Sequence, residues 1–386
     1  MSLAEILNRC RERIENPDLR EVAAWKAAHP EGKACGAFPV YVPFEVIAAA
    51  GMLPVPTFGG GTAIEVERAD ARIQSFVCAI SRSTLELGMT GRFEGLDAFV
   101  FPTTCDVARN LSGIWTHNFP KMRTVYLHLP QNVESSSALA YGASELRRLG
   151  KALGEVSGHP PDTEDLRRSI LEYNALRRLL RRLYQLRQEP GRLGLAECAI
   201  LVRGGVGLPI AEHTRMLEAA LAALGDRPPR RRDTVKVVLE GAFCEQPPLE
   251  LLQVMEEAGC EVVDDDLALG MRWFQDDVPE HGDPWEALSE AYRSWSPCTA
   301  VKHGRAPREA AFLEKIRRAK AAGVVFAAPK FCEPALLDYV LLKSAVQAAG
   351  LPYLCFEYEE KMSVFESVRS QVETFVESIL FYPAAP

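Results

Sequence analysis

The feature that most constrains this chain is a pattern that occurs twice. Gly36-Ala37-Phe38 returns as Gly241-Ala242-Phe243 at an offset of 205 residues, and at that offset Pro43 returns as Pro248 and Glu45 as Glu250. After a short insertion Ala50-Gly51 returns as Ala258-Gly259. In each copy an apolar run is followed by a helical period closed with glycine, and then by a second apolar run. Glycine there is the usual helix C-cap. Strands alternating with helices in this way build a parallel sheet covered by helices. The run of matches at one offset points to duplication of a single αβ unit.

Extended runs are predicted at 37–41, 53–55, 98–102 and 124–129 in the first unit, with helices at 44–50, at 73–87 and from 107. The second unit predicts strands at 235–239, 261–263, 323–327 and 352–356. Its helices fall at 249–258, 285–292, 309–322, 336–349 and 364–379. Between the units, helical periods at 146–153, 165–186 and 211–224 carry few strand signals. The expected fold class is therefore α/β, with two Rossmann- or flavodoxin-like four-stranded parallel sheets related by duplication. The expected division is a helical segment 1–33, a first domain 34–136, a helical bridge 137–232 and a second domain with C-terminal helix 233–386. A chain of 386 residues has room for two such cores. The Arg-rich stretch 176–187 is expected to carry an apolar stripe and a solvated arginine face.

Charge narrows the function. With 44 Lys and Arg against 52 Asp and Glu, the net charge is −8, which disfavours a nucleic-acid surface. The basic cluster at 227–232 contains two prolines and is expected to be a solvated linker. The apolar window 38–64 holds four prolines and Gly59-Gly60-Gly61, so it reads as buried αβ core, not a membrane span. The opening MSLAEILNRC contains Glu5 and no positive start before an apolar run, so a cytoplasmic protein is expected.

Ten cysteines in such a chain do not make a disulfide framework, and no CxxC spacing is present. Two of them occupy matching places. The third strand of the first unit runs into Cys105-Asp106, and that of the second into Cys332-Glu333. Open αβ sheets bind ligands at the carboxyl ends of their strands. A cysteine opening a helix there has its thiolate stabilised by backbone amides. Two such cysteines from facing units could share one metal centre. Cys78 is the first candidate for a third ligand, Cys298 the second and Cys244 the next. Three thiolates with one open position suit an iron–sulfur cluster. Zinc would be chemically possible but has no histidine site or base motif beside it. His117, His128, His213 and His303 are expected to be structural or at the surface, with His117, placed near the start of the helix after Cys105, the one to test. Cys10, Cys198 and Cys355 read as packing or surface residues.

With these residues in place the chain resembles the benzoyl-CoA reductase and 2-hydroxyacyl-CoA dehydratase family. The resemblance is carried by the stretch from Pro43-Phe44-Glu45 to Leu53-Pro54-Val55, and by Cys78 with Ser81-Arg82-Ser83. It continues in Thr104-Cys105-Asp106, in Asp264-Asp265-Asp266-Leu267 with Gly270 and Arg272, in Gly323-Val324-Val325 and in Lys330-Phe331-Cys332-Glu333-Pro334. It spans about residues 34–380. It implies paired Rossmann-like domains and a [4Fe-4S] cluster whose three protein ligands, carried over by position, are Cys78, Cys105 and Cys332. It also implies a homologous larger subunit, ATP-hydrolysing electron-donor subunits with ferredoxin upstream, and an acyl-CoA substrate reduced through a ketyl-type radical. No GxxxxGK[ST] loop occurs here, as expected of a subunit that receives electrons. One departure stands out: the acidic run 264–266 continues as Leu267-Ala268-Leu269 where many relatives have a cysteine. Length and general pattern are closest to the smaller iron–sulfur subunit of ATP-dependent benzoyl-CoA reductases, with the dehydratases next. A different class of reading is a two-lobed small-molecule-binding protein without redox role, which would have no use for Cys105 and Cys332 at matching strand ends. No catalytic residue or proton donor is assigned from the sequence.

Overall fold

The computed structural model describes residues 2–381 apart from 190, 226, 229–232, 242–243 and 296–303. Helices α1 (Leu3–Ile14) and α2 (Arg20–Ala28) open the chain. The first lobe follows with β1 (Lys33–Ala37), α3 (Phe44–Ala49), β2 (Met52–Pro56), α4 (Ala79–Met89), β3 (Ala98–Pro102), α5 (Asp106–Asn118) and β4 (Arg123–Leu127). Next come α6 (Ala138–Ser157), α7 (Thr163–Arg187), α8 (Leu195–Arg203) and α9 (Ile210–Gly225). The second lobe begins with β5 (Val235–Glu240), α10 (Leu249–Glu257), β6 (Cys260–Asp265), α11 (Met271–Phe274) and α12 (Pro284–Ser294). It ends with α13 (Arg305–Ala319), β7 (Gly323–Pro329), α14 (Glu333–Ala348), β8 (Tyr353–Tyr358) and α15 (Glu366–Phe381).

Both sheets are four-stranded and parallel throughout, in the orders β2-β1-β3-β4 and β6-β5-β7-β8. This is one permutation used twice, and the α/β expectation is met. Gly51 at φ +71° and Gly259 at φ +95° end the two matching helices in the left-handed region, which a side chain would oppose. Residues alternate between the faces of each sheet. In β3, Phe99 and Phe101 join one core and Ala98 and Val100 the other.

Several boundaries differ from expectation. The first strand is 33–37 and not 37–41, because Pro39 and Pro43 cannot donate to a central ladder. The helix expected at 73–87 starts only at Ala79, so Cys78 is its N-cap and not a residue within it. Helix α8 carried no clear signal, being apolar nearly all round, with eight of its nine residues buried. Helix α12 packs on α6 and sends Trp285, Leu288 and Ala291 into the core beneath the first sheet. Helix α1 packs on α8 and α9. The division at 33, 136 and 232 therefore remains a proposal about the chain, not a map of separate packed bodies.

Helix α7, 25 residues long, runs about 37 Å and ties the lobes together. The solvated arginine face expected here is partly buried. Arg177 pairs with Glu45 of the first lobe, and Arg187 with Asp265 of the second at 3.1 Å, all four side chains being at most 3% exposed. Arg178 and Arg181 face Asp277 and Glu280 in place of water alone.

Candidate metal centre

The site forms where the carboxyl ends of the two sheets meet. Strand β3 ends at Pro102 and Cys105 caps α5; strand β7 ends at Pro329 and Cys332 caps α14. Each cysteine stands three residues past its strand. Cys78 caps α4. Three helix N-termini therefore carry a cysteine each, and their amides favour negative charge at the sulfurs.

The Ala108 amide donates to Cys105 Sγ at 3.4 Å. The Ser81 hydroxyl lies 3.1 Å from Cys78 Sγ. The Ala335 amide faces the Cys332 sulfur and favours its thiolate, though without full capping geometry. Cys78, Cys244 and Cys332 are buried and Cys105 is half-buried. Burial pushes the Cys78 thiol up to about 12; Ser81 opposes this, while charge on Cys105 or Glu245 adds to it. Burial raises Cys105, the Ala108 and Val107 amides oppose it, and Asp106 and Glu333 add to it. Burial raises Cys332, and charge on Cys78 and Cys105 raises it further. Cys244 is raised by burial and then by charge on Cys332, Cys105 and Cys78. The thiols of both lobes are thus near enough to feel one another. Without a metal they are neutral at pH 7, and ligation would release protons.

Among the described residues no three His, Cys, Asp or Glu side chains are gathered tightly enough for a single ion. A lone tetrahedral ion with sulfur ligands about 2.3 Å away draws them into van der Waals contact. A cluster stands between its ligands and needs them further apart. The donor set, sulfur with amides behind it and no imidazole among the described residues, is of the kind that an iron–sulfur cluster takes.

Cys244 follows β5 and packs with Cys332, Val40, Ala268 and Ala335. Its Sγ lies 3.8 Å from the Pro39 carbonyl. Cys298 lies outside the described residues, as do Arg230 to Arg232 of the basic cluster; Arg227 pairs with Glu197 at 2.6 Å. His117 is exposed in the last turn of α5, at the end away from Cys105, so its placement near the start of that helix is corrected. A helix of 13 residues separates its ends by nearly 20 Å.

Sequence reasoning passed over two buried acids. Burial, with the charge of Glu360 next, pushes the Glu245 carboxyl up to about 8. Glu360 is raised by burial against the opposing Ser83 hydroxyl and the Gly61 and Gly60 amides. The signal for Glu360 was present in Gly59-Gly60-Gly61, read only as evidence against a membrane span. A cavity of about 40 Å³ between the lobes is lined by Phe38, Val40, Phe44, Phe58, Trp273 and Tyr292. Of these, Val40 and Phe58 also pack against the Cys244–Cys332 group, so apolar walls screen it from water.

The family model described as 2-hydroxyglutaryl-CoA dehydratase, D-component, matches residues 39–379. One benzoyl-CoA reductase subunit from Thauera aromatica is 40% identical over 382 residues, 98% of this chain and 99% of that protein. The chain belongs to the benzoyl-CoA reductase and 2-hydroxyacyl-CoA dehydratase family. It is accordingly an enzyme subunit of that oxidoreductase and lyase family. More distant members include the beta subunit of lactoyl-CoA dehydratase of Anaerotignum propionicum, 27% identical over 97% of this chain and 98% of that protein. The beta subunit of (R)-2-hydroxyglutaryl-CoA dehydratase of Acidaminococcus fermentans is also 27% identical, over 90% of this chain and 92% of that one. Among the described residues no helix is long and apolar enough to cross a membrane.

Proposed function

We propose that this chain is the iron–sulfur subunit of an ATP-dependent aromatic acyl-CoA reductase acting on benzoyl-CoA. The observation that carries this reading is the 40% identity across nearly the whole chain to a benzoyl-CoA reductase subunit, against 27% to dehydratase subunits. Cys78, Cys105 and Cys332 would hold a [4Fe-4S] cluster, which when bound supplies one-electron transfer at low potential. The amides at the starts of α4, α5 and α14 favour thiolate and so offset part of what burial costs the binding form. The apolar residues around Cys244 and Cys332 exclude water. Burying negative charge there disfavours adding an electron and lowers the potential.

The CoA thioester would lie in the cleft of this subunit or of a homologous larger subunit, with this chain's cluster passing electrons to its aromatic ring. ATP-hydrolysing donor subunits, fed by ferredoxin, would complete a cytoplasmic assembly. The second reading, a subunit of a 2-hydroxyacyl-CoA dehydratase, is favoured by the family model's own description.

The test is to produce the chain anaerobically with its partner subunits and assay benzoyl-CoA beside 2-hydroxyacyl-CoA thioesters. ATP-dependent loss of ring aromaticity is the expected result. Dehydration of a 2-hydroxyacyl-CoA with benzoyl-CoA untouched would select the second reading.

A further inference from the structure

Two acids of the second lobe reach across to one helix of the first. Glu245 follows β5, and its Oε2 accepts from the Ile80 amide at 3.3 Å, in the first turn of α4. Glu360 follows β8, and its Oε2 accepts from the Ser83 hydroxyl of the same helix at 2.7 Å. Its Oε1 accepts from the Gly61 amide. The two acids are braced from behind, since the Tyr358 hydroxyl donates to the Glu245 carbonyl at 2.5 Å. Glu245 is 1% exposed and Glu360 7%.

Burying a carboxyl group costs stability unless donors meet it. The donors to both oxygens of Glu360 and to Oε2 of Glu245 come from the other lobe, while Glu245 Oε1 meets no donor among the described residues. The glycine run explains how Glu360 gets close. Gly59 has φ +82°, and a Cβ there would run into Glu360 Oε1 and Ser83 Oγ. Helix α4 is the element capped by Cys78, whereas Cys332 belongs to the lobe that supplies the acids. On the other side of the cleft the Arg272 guanidinium donates to the Tyr41 hydroxyl at 2.7 Å. The contacts on α4 are thus placed to fix one cysteine of the first lobe relative to the second.

We propose that Glu245 and Glu360 are positioning residues that lock the Cys78 helix against the lobe carrying Cys332. The inference rests on the reading of these cysteines as ligands of one cluster. Both acids act as hydrogen-bond acceptors; their charge is not needed. Glutamine at 245 keeps an acceptor oxygen for the Ile80 amide, and at 360 it keeps one for the Gly61 amide while its own amide can donate to Ser83 Oγ, so it preserves the lock while alanine removes it.

The experiment uses the full chain in its anaerobic complex and has two arms. The first follows iron release to a chelator in the wild type and in Glu245→Ala, Glu360→Ala, Glu245→Gln, Glu360→Gln and Gly59→Ala. The second removes iron and follows alkylation of Cys78 and Cys105 separately by mass spectrometry. Losing one such buried hydrogen bond is expected to speed both iron release and Cys78 alkylation roughly tenfold in each alanine variant. Cys105 should keep its rate, and the glutamine variants should match wild type. Gly59→Ala disturbs the lock from the opposite lobe without removing an acid, and should behave as Glu360→Ala does. Unchanged Cys78 alkylation in both alanine variants at Glu245 and Glu360 would overturn the proposal. So would equal acceleration of Cys78 and Cys105, which reports general loosening, or glutamine variants that behave as alanine ones. A wild-type complex without iron would overturn the cluster reading instead, and the alkylation arm would still decide the lock.

Discussion

The two lobes share one strand order and differ in what fills them. In the first, Phe99 stacks on Phe101 at 4.7 Å and lies tilted against Trp115 at 4.4 Å between ring centroids. The second keeps ions at its strand ends. Glu240 pairs with Lys315 at 3.0 Å, Asp266 with Arg272, and Asp265 accepts from Tyr184 at 2.7 Å and from Arg187. The contacts on α4 and the glycine run are one-sided too, whereas elsewhere in the cleft Arg272 donates to Tyr41 and Lys361 to Glu65 in the opposite sense. The first lobe supplies amides and a hydroxyl from α4 and the glycine run, and the second supplies Glu245 and Glu360. Duplication preserved the sheet and the strand-end cysteines, while the surfaces that join the copies became complementary.

Acid should break this asymmetry most strongly, on the side of the second lobe. His213 of α9 is buried beside Trp273 of that lobe, and burial pushes its pKa down to about 3. The unfolded chain, with histidine near 6.5, takes up the proton first. Stability is therefore fully present above pH 6.5 and is lost as pH falls toward 3. The shift corresponds to roughly 5 kcal/mol at the acid limit. Urea denaturation of wild type and His213→Gln between pH 7 and 4 checks it, and the variant should show a smaller slope. Next in size is Arg187→Ala, which strands Asp265 at 0% side-chain exposure and should cost about 3–5 kcal/mol in the same assay. A loss under about 1 kcal/mol would mean that water replaces the guanidinium. In the aromatic lobe, Phe99→Leu changes volume without uncovering a charge. About 1–1.5 kcal/mol is expected, with no dependence on pH. The smallest effect belongs to Cys355→Ser on half-buried β8, within about 0.5 kcal/mol and with iron content unchanged.

Much of this architecture was legible in the residues. The periodic runs placed seven of the eight strands nearly where they lie, and the offset repeat foretold one permutation used twice. The first strand was misplaced because apolar character continues past Ala37 through Pro39 to Val42, and composition alone does not show where pairing stops. Cys105 and Cys332 were legible because strand ends are readable. Cys78 was found on the chain, but its role as a helix cap was hidden, since residues 73–77 have helical periodicity and yet form turns. Glu245 and Glu360 could not be found from pattern. They act on a helix more than 150 residues away, and only the closure of the lobes brings acceptor to donor. The buried arginines of α7 were hidden in the same way, because Arg177 and Arg187 look like any solvated pair until Glu45 and Asp265 meet them.

We propose that thiolates from both lobes share one cluster. It is tested most directly by iron and sulfide content in Cys78→Ser, Cys105→Ser, Cys332→Ser and Cys244→Ser, each purified with its partners without oxygen. Serine offers a hard, poorly ionised hydroxyl in place of a soft thiolate. Loss or lability of iron is predicted in the first three variants, with Cys244→Ser retaining its cluster. Full iron and sulfide in Cys105→Ser or Cys332→Ser would contradict the claim.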